Sequence, residues 1–182
     1  MGGTQVVEGY RVVAVLAGSP LAQAGLQVYL DIILSANGMP LRPNGTFTLL
    51  VSHHAGRKLT LQVFNLWSRQ IRKVTVVPQE DWGGAGLLGG SIRYEAWDPK
   101  SIGVRIVRVL AGSQAEKAGL QPGELILGTA NNPVTSIDQL CALLQQDVIL
   151  CVFNPSSSLT RSVPLPLCPQ GLGIEAEAGL PP

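Results

Sequence analysis

Apolar residues follow two periods along this chain, and the order in which those periods alternate occurs twice. Tyr10 to Leu16 is dense in β-branched residues, the pattern of a strand. Ala17-Gly18-Ser19 reads as a turn. Pro20 suits the first turn of a short helix, where its missing N–H is not needed, and Gly25 is placed to cap that helix at its C-terminus. Asp31 to Ala36 predicts a second strand, closed by the turn signal Asn37-Gly38. After Thr46 the apolar residues Phe47, Leu50 and Val51 fall on one face of a helix, with His54 next at the same spacing. Strands follow at Leu59 to Leu66 and Ile71 to Val77. A further strand, Leu87 to Tyr94, is entered from a glycine-rich loop.

The second half repeats this order. Arg11 to Gln27 (RVVAVLAGSPLAQAGLQ) aligns without a gap on Arg105 to Gln121 (RIVRVLAGSQAEKAGLQ), with 11 of 17 positions identical and an offset of 94 residues. Two copies at so long a period indicate a duplicated domain, not a solenoid. Strands are expected at Val104 to Leu110 and Glu124 to Thr129, with a short helix at Gln114 to Ala118 between them. Ser136 opens a longer helix, with Gln139 as its capping-box partner. Val148 to Phe153 and Ser158 to Val163 are strands, and Gly171 to Ala176 closes the copy. The fold class is α+β, mainly β: two small, partly open barrels, residues 1–97 and 98–182, with the junction at Asp98 to Gly103. Tyr94 and Trp97 are expected to pack just before it.

Composition narrows the function. The 182 residues are 46% apolar but only 14% charged, so some apolar surface is expected to serve as contact area. Net charge is +1, and Arg11, Arg42, Lys58, Arg69, Arg72 and Lys73 are scattered. Nucleic-acid binding needs a basic stripe, and none is present. The three cysteines, Cys141, Cys151 and Cys168, show no paired spacing, which fits a reducing compartment; Cys141 and Cys151 read as small buried hydrophobes. No apolar run is long enough to span a bilayer, and no secretory signal precedes Tyr10. The two histidines, His53 and His54, are adjacent, with no nucleophile or metal-ligand motif around them, and are expected at a solvated helix end. Trp82 to Gly90 lacks the Lys-Ser/Thr ending of a phosphate loop. These readings point away from an enzyme and from any cofactor.

Two motifs carry a family resemblance. Ser113 to Leu127, SQAEKAGLQPGELIL, resembles the PDZ-domain consensus SPAEKAGLxPGDxIL. Trp82 to Tyr94, WGGAGLLGGSIRY, resembles the W-G-G-x-G-L-L-G-x-S-I-R-aromatic signature of the Golgi reassembly-stacking proteins, as do the leading Glu8-Gly9-Tyr10 and the tandem arrangement. The resemblance covers nearly the whole chain. It departs at Cys168-Pro169-Gln170, where a second W-G-G is expected, and at Val6, where Ser or Thr is usual behind a myristoylated Gly2.

The resemblance implies domains of the circularly permuted PDZ type, which bind a partner's C-terminal peptide as an added strand and hold its carboxylate on loop amides. In the first domain Leu87, Leu88 and Gly89 would form that loop, Gly90, Ser91 and Ile92 the pairing strand, and Phe47, Leu50 and Val51 the facing wall. In the second, Gly171, Leu172, Gly173 and Ile174 resemble the GLGF loop, facing Leu140, Leu143 and Leu144. The implied partners are the C-termini of golgin-type coiled-coil proteins and a second copy of the chain in trans. The implied location is the cytoplasmic face of Golgi membranes, reached through an N-myristoyl group on Gly2. The rival reading is a PDZ pair of a membrane or serine protease that senses substrate; the Met1-Gly2 opening is not the one expected if a catalytic domain preceded it.

Overall fold

A computed structural model of the chain describes residues 6–98 and 102–180. The chain divides into two compact units, Met1–Pro99 and Lys100–Pro182. The expected lipidation site Gly2, and Pro99, Lys100 and Ser101 of the expected junction, lie outside the described residues.

The first unit runs β1 (Val7–Val15), α1 (Pro20–Gln23), β2 (Asp31–Ala36), β3 (Met39–Pro40), α2 (Thr46–His53), β4 (Leu59–Asn65), β5 (Gln70–Val76) and β6 (Gly90–Trp97). The second runs β7 (Val104–Val109), α3 (Gln114–Lys117), β8 (Leu125–Gly128), α4 (Ile137–Leu143), β9 (Val148–Asn154), β10 (Leu159–Leu165) and β11 (Ile174–Ala178). The sheets have matching orders, β5-β4-β2-β1-β6 with β3 appended to β2, and β10-β9-β8-β7-β11. Both are open antiparallel sheets, and the molecule is mainly β with two PDZ-like domains in tandem. In each, the strand that would receive a peptide comes last in the chain and lies at a sheet edge.

Local chemistry explains the elements. Ser19 and Ser113 cap the short helices, each accepting an N–H three residues on at 3.2 Å. Asn37 and Gly38, at φ 48° and 78°, make the tight turn from β2 to β3. Each unit also carries a bulge at the same place. Val13 is the extra residue between the paired Val12 and Ala14, and Val107 its counterpart, where the register steps from Arg108 to Ile106. Alternating strand residues and the inward faces of α2 and α4 build one core per unit, around Val12, Ile33, Phe47 and Leu61 in the first and Ile106, Ile126, Leu140 and Val152 in the second.

An ion pair between a buried carboxylate and a partly exposed arginine is built twice on the same frame. In the first unit Arg72 grips Asp31 through two bonds of 2.8 and 2.6 Å, while Asn65 and the Gln27 amide donate to the same carboxylate. In the second Arg161 grips Glu124, with Asn154 and the Gln121 amide in the same roles. Burial pushes the Glu124 carboxyl up, but its bonds to Arg161, Gln121 and Asn154 outweigh burial and hold it below its ordinary value.

Several expectations are corrected. His53 is the exposed last residue of α2, as expected, but His54, its C-cap, is half-buried: its Nδ1 lies 2.7 Å from the Leu50 carbonyl and its Nε2 2.9 Å from the Asn37 amide, so it ties the end of α2 to the β2–β3 turn. Half of the expected capping box forms, with the Ser136 hydroxyl accepting from the Gln139 amide at 3.2 Å, but the Gln139 side chain accepts from the Thr135 amide at 2.8 Å and hydroxyl at 3.2 Å instead of from the Ser136 amide. Cys141 is exposed. Tyr94 packs edge-on to Tyr10 at 5.2 Å, and Trp97 stacks on Arg11 at 3.7 Å. The strand expected from Leu87 begins only at Gly90, and the one expected from Gly171 only at Ile174.

Candidate peptide-binding grooves

The two segments ahead of those closing strands are turned the same way. In the first domain the carbonyls of Leu87, Leu88 and Gly89 accept from the amides of Gln79 (3.0 Å), Leu21 (3.1 Å) and Leu16 (2.9 Å). In the second, the carbonyls of Leu172 and Gly173 accept from Ala115 (3.0 Å) and Leu110 (2.9 Å), the positions 94 residues after Leu21 and Leu16. With these carbonyls claimed by the body of the domain, the amides are left over. Among the described residues no hydrogen bond takes up the N–H of Leu87, Leu88, Gly89, Leu172 or Gly173. Successive free amides in a turn with a left-handed residue form a concave anion site. Gly89 (φ 68°) and Gly173 (φ 75°) supply that residue, and a Cβ at either would strike the capping serine's Cβ at 2.2 or 2.4 Å.

In the first domain Trp82 props the loop. Its indole N–H donates to the Gly86 carbonyl at 2.7 Å, and its ring lies where a Cβ on Gly84 or Gly89 would be, at 2.0 and 2.7 Å. This is the physical content of the W-G-G-A-G-L-L-G-G run: a tryptophan folded back over glycines too small to displace it. The motif could be read in the sequence; its role as a strut could not. In the second domain Cys168 does this work by other bonds. Its amide donates to the Leu144 carbonyl at the end of α4, its carbonyl accepts from Gly171, and its thiol from within the core reaches the Pro166 carbonyl, each at 2.9 Å.

Each loop opens into a groove between the helix and the free edge of the last strand. The first groove, about 260 Å³, is lined by Phe47, Thr48, Val51 and Ser52 of α2, by residues 85–89 and by Gly90 and Ile92 of β6. The second, about 400 Å³, is lined by Ile137, Leu140, Cys141 and Leu144, by residues 170–173 and by Ile174 and Ala176 of β11. No lining residue of either is charged.

The structure therefore brings together Leu87, Leu88, Gly89, Gly90, Ile92, Phe47 and Val51, and in the second groove Gly171, Leu172, Gly173, Ile174, Leu140 and Leu144. It leaves out Leu50 and Leu143, which pack against the two cores, and Ser91, which lies exposed on β6. The helix spacing marked the apolar face but not which side of it turns to the strand. Sequence reasoning missed Thr48, Ser52, Ile137 and Cys141. Thr48, Ser52 and Cys141 sit one residue along from the core positions Phe47, Val51 and Leu140, and that offset was the available signal; Ile137 follows the N-cap Ser136.

An open antiparallel sheet whose last strand is free along its outer edge, with a helix beside it and a turn of unclaimed amides between them, defines a PDZ-like domain, here in two copies. Comparison with known proteins agrees. The GRASP55/65 PDZ-like domain family matches residues 4–96, and the PDZ domain family matches residues 105–152. The chain is 37% identical to Golgi reassembly-stacking protein 1 of Homo sapiens and 31% identical to that of Mus musculus, each over 162 residues and 86% of this chain. It is also 35% identical over 149 residues, 72% of this chain, to a probable periplasmic serine endoprotease DegP-like of Pseudomonas savastanoi pv. phaseolicola, of which it covers 31%. The chain belongs to the Golgi reassembly-stacking protein family. It spans about 37% of the length of the human relative and 36% of the mouse one.

Proposed function

We propose that the chain is a non-catalytic Golgi tether whose first groove captures the C-terminal tail of a golgin-type coiled-coil partner. The observation that carries this reading is the turn at Leu87 to Gly89, with its carbonyls bonded inward and its amides unclaimed, at the start of a strand with a free edge. A peptide added antiparallel to β6 ends beside the start of that strand, where the amides are, so a terminal carboxylate and not an internal segment is the matching ligand. Family membership supports the Golgi setting and a scaffold rather than an enzyme.

Self-association in trans would link facing membranes, and a myristoyl group on Gly2 would attach the chain to the cytoplasmic face. A single myristoyl chain binds bilayers with an association constant of only about 10⁴ M⁻¹, so the captured partner would supply the second hold, and many copies would act by avidity. Among the described residues no helix is long and apolar enough to cross a membrane.

The test is titration of a C-terminal peptide carrying a free carboxylate against the same peptide amidated at its end. Saturable binding lost on amidation and in Leu88→Asp is expected; equal binding of both peptides defeats the reading. Tracking Gly2→Ala in cells tests the anchor, which fails if the variant stays on Golgi membranes as wild type does. The DegP-like relatives favour a second reading, a PDZ pair that senses protease substrates; specific recovery of a protease subunit, in place of a coiled-coil protein, would select it.

A further inference from the structure

The two grooves share a plan but not a lining, and the difference runs in one direction. In the second domain the Cys168 amide bonds to the Leu144 carbonyl, which places the carboxylate loop at the C-terminal end of α4. In the first, the Gly56 amide just beyond α2 bonds to Pro78, and Gln79 bonds to Leu87, which places that loop at the C-terminal end of α2. In both domains the N-terminal part of the helix therefore faces the upstream part of a bound tail. There the first groove offers the Thr48 hydroxyl, with Ser52 one turn nearer the loop. Both are exposed, and among the described residues neither side chain has a hydrogen-bond partner. The second groove offers Ile137, an isoleucine left 43% exposed, and then Cys141. Along the strand the bulk is exchanged: Gly90 then Ile92 in the first, Ile174 then Ala176 in the second. The second groove is also larger, about 400 against 260 Å³.

We propose that the two grooves divide C-terminal tails between them. The first takes a tail with a hydroxyl side chain upstream and a short aliphatic residue at its end. The second takes a wholly apolar tail with a bulkier end residue. This assignment rests on the capture reading above and adds the class of ligand for each groove. The chemistry follows from what each wall leaves unmet. An apolar upstream side chain would cover the Thr48 hydroxyl without bonding it, whereas a hydroxyl against Ile137 would be desolvated with no partner. A large end residue finds less room in the smaller groove. Each mismatch in such a site changes affinity by roughly 10-fold or more.

The experiment uses the whole chain and two peptides with free carboxylates, one ending Thr-Ala-Val and one ending Leu-Ala-Phe. The amide resonances of Gly89 and Gly173 report the grooves separately in the wild type, so no disabled variant is needed. The Thr-Ala-Val peptide is expected to shift Gly89 at roughly tenfold lower concentration than Gly173, and the Leu-Ala-Phe peptide the reverse. Thr48→Ile, at an exposed position, is expected to erase the first groove's preference for the hydroxyl tail. Binding of both peptides in the same order at both grooves overturns the division while leaving capture intact. Binding at neither groove overturns the capture reading, and the division with it.

Discussion

The two domains reach the same turn with opposite packing. At position 21 of α1 the first domain has a leucine, fully buried, and at the start of its closing strand it has Gly90, where a Cβ would lie 2.7 Å from that leucine and 2.3 Å from the Ala14 carbonyl. The second domain has Ala115 at the matching place, 94 residues on, and Ile174 at the matching strand start. Bulk has moved across the interface between short helix and closing strand while the loop's hydrogen bonds stay the same. Duplicated domains keep total volume and exchange its source, as packed interiors permit when changes are compensated. Neither half of the pair is informative alone; Gly90 looks like a flexible loop residue until Leu21 is seen beside it.

The largest effects are expected from undoing that exchange. Leu21→Ala should destabilise the first domain by about 3 kcal/mol through the cavity it leaves. Gly90→Ile should cost about 2 kcal/mol by overpacking. The double variant should be more stable than the sum of the two losses by about 1 kcal/mol, measured by denaturant unfolding of each variant. Strict additivity would mean that the two sites do not share space, and the comparison would lose its basis.

Next in size is the duplicated ion pair, where the copies differ by one methylene and one position: Asp31 follows Leu30, whereas Glu124 precedes Leu125. Asp31 keeps a 2.8 Å bond from Asn65, while the corresponding bond from Asn154 to Glu124 is 3.4 Å. Removing the arginine should therefore cost more in the second domain. Arg161→Met is expected to lose about 2 kcal/mol, with Arg72→Met losing less, because a buried carboxylate stripped of its cation must rely on what remains. The pH dependence has a definite sign. Glu124 binds its proton less readily folded than unfolded, so its contribution is present above the unfolded value of about 4.3 and is lost as pH falls through the lower folded value. Denaturation at a series of pH values from 7 to 3 should show this acid loss in wild type and less of it in Arg161→Met.

The loop supports differ as well, Trp82 in one domain and Cys168 in the other. Trp82→Ala leaves Gly84 and Gly89 without the ring that confines them. It should weaken peptide capture at the first groove by about tenfold through lost preorganisation, with little effect at the second. Comparable weakening at both grooves would show that the tryptophan acts on the fold as a whole and not on its loop.

How much of this was legible varies by element. The strands, the capped short helices and the tandem plan follow from β-branched runs, Ser19 and Ser113, and the repeat itself, all local signals. The start of the closing strands was not legible, because Leu87 and Leu88 read as part of an apolar strand; only their carbonyls' bonds, to Gln79 in the preceding loop and to Leu21, far off in sequence, turn them into a loop. The ion pairs were hidden for the same reason: nothing near Arg72 in the sequence announces Asp31. The groove walls were half legible. Helical spacing identified Phe47 and Val51, but a residue shared between core and groove is distinguished from Leu50 only by where the closing strand lies. Arg11 was counted only as one of several scattered cations, yet it is buried beneath Trp97 and donates two bonds to the Tyr29 carbonyl, and desolvation lowers its pKa to about 10.

The smallest expected effect is also the most direct on the second groove, and it concerns thiols. Cys151 lies within β9, where burial pushes it up to about 11, so at pH 8 only about one molecule in a thousand carries the thiolate that reacts. Cys168 is buried and bonded to the Pro166 carbonyl. Cys141 alone of the three is exposed, and it lines the groove beside Ile137 and Leu140. Timed alkylation read by mass spectrometry should therefore modify Cys141 well before the others. A peptide ending Leu-Ala-Phe should slow that modification at roughly tenfold lower concentration than one ending Thr-Ala-Val, because the latter seats first in the other domain. Protection by both peptides alike would mean that the grooves do not discriminate, and the exchange of bulk between Gly90 and Ile174 would then be a matter of packing with no consequence for what each domain holds.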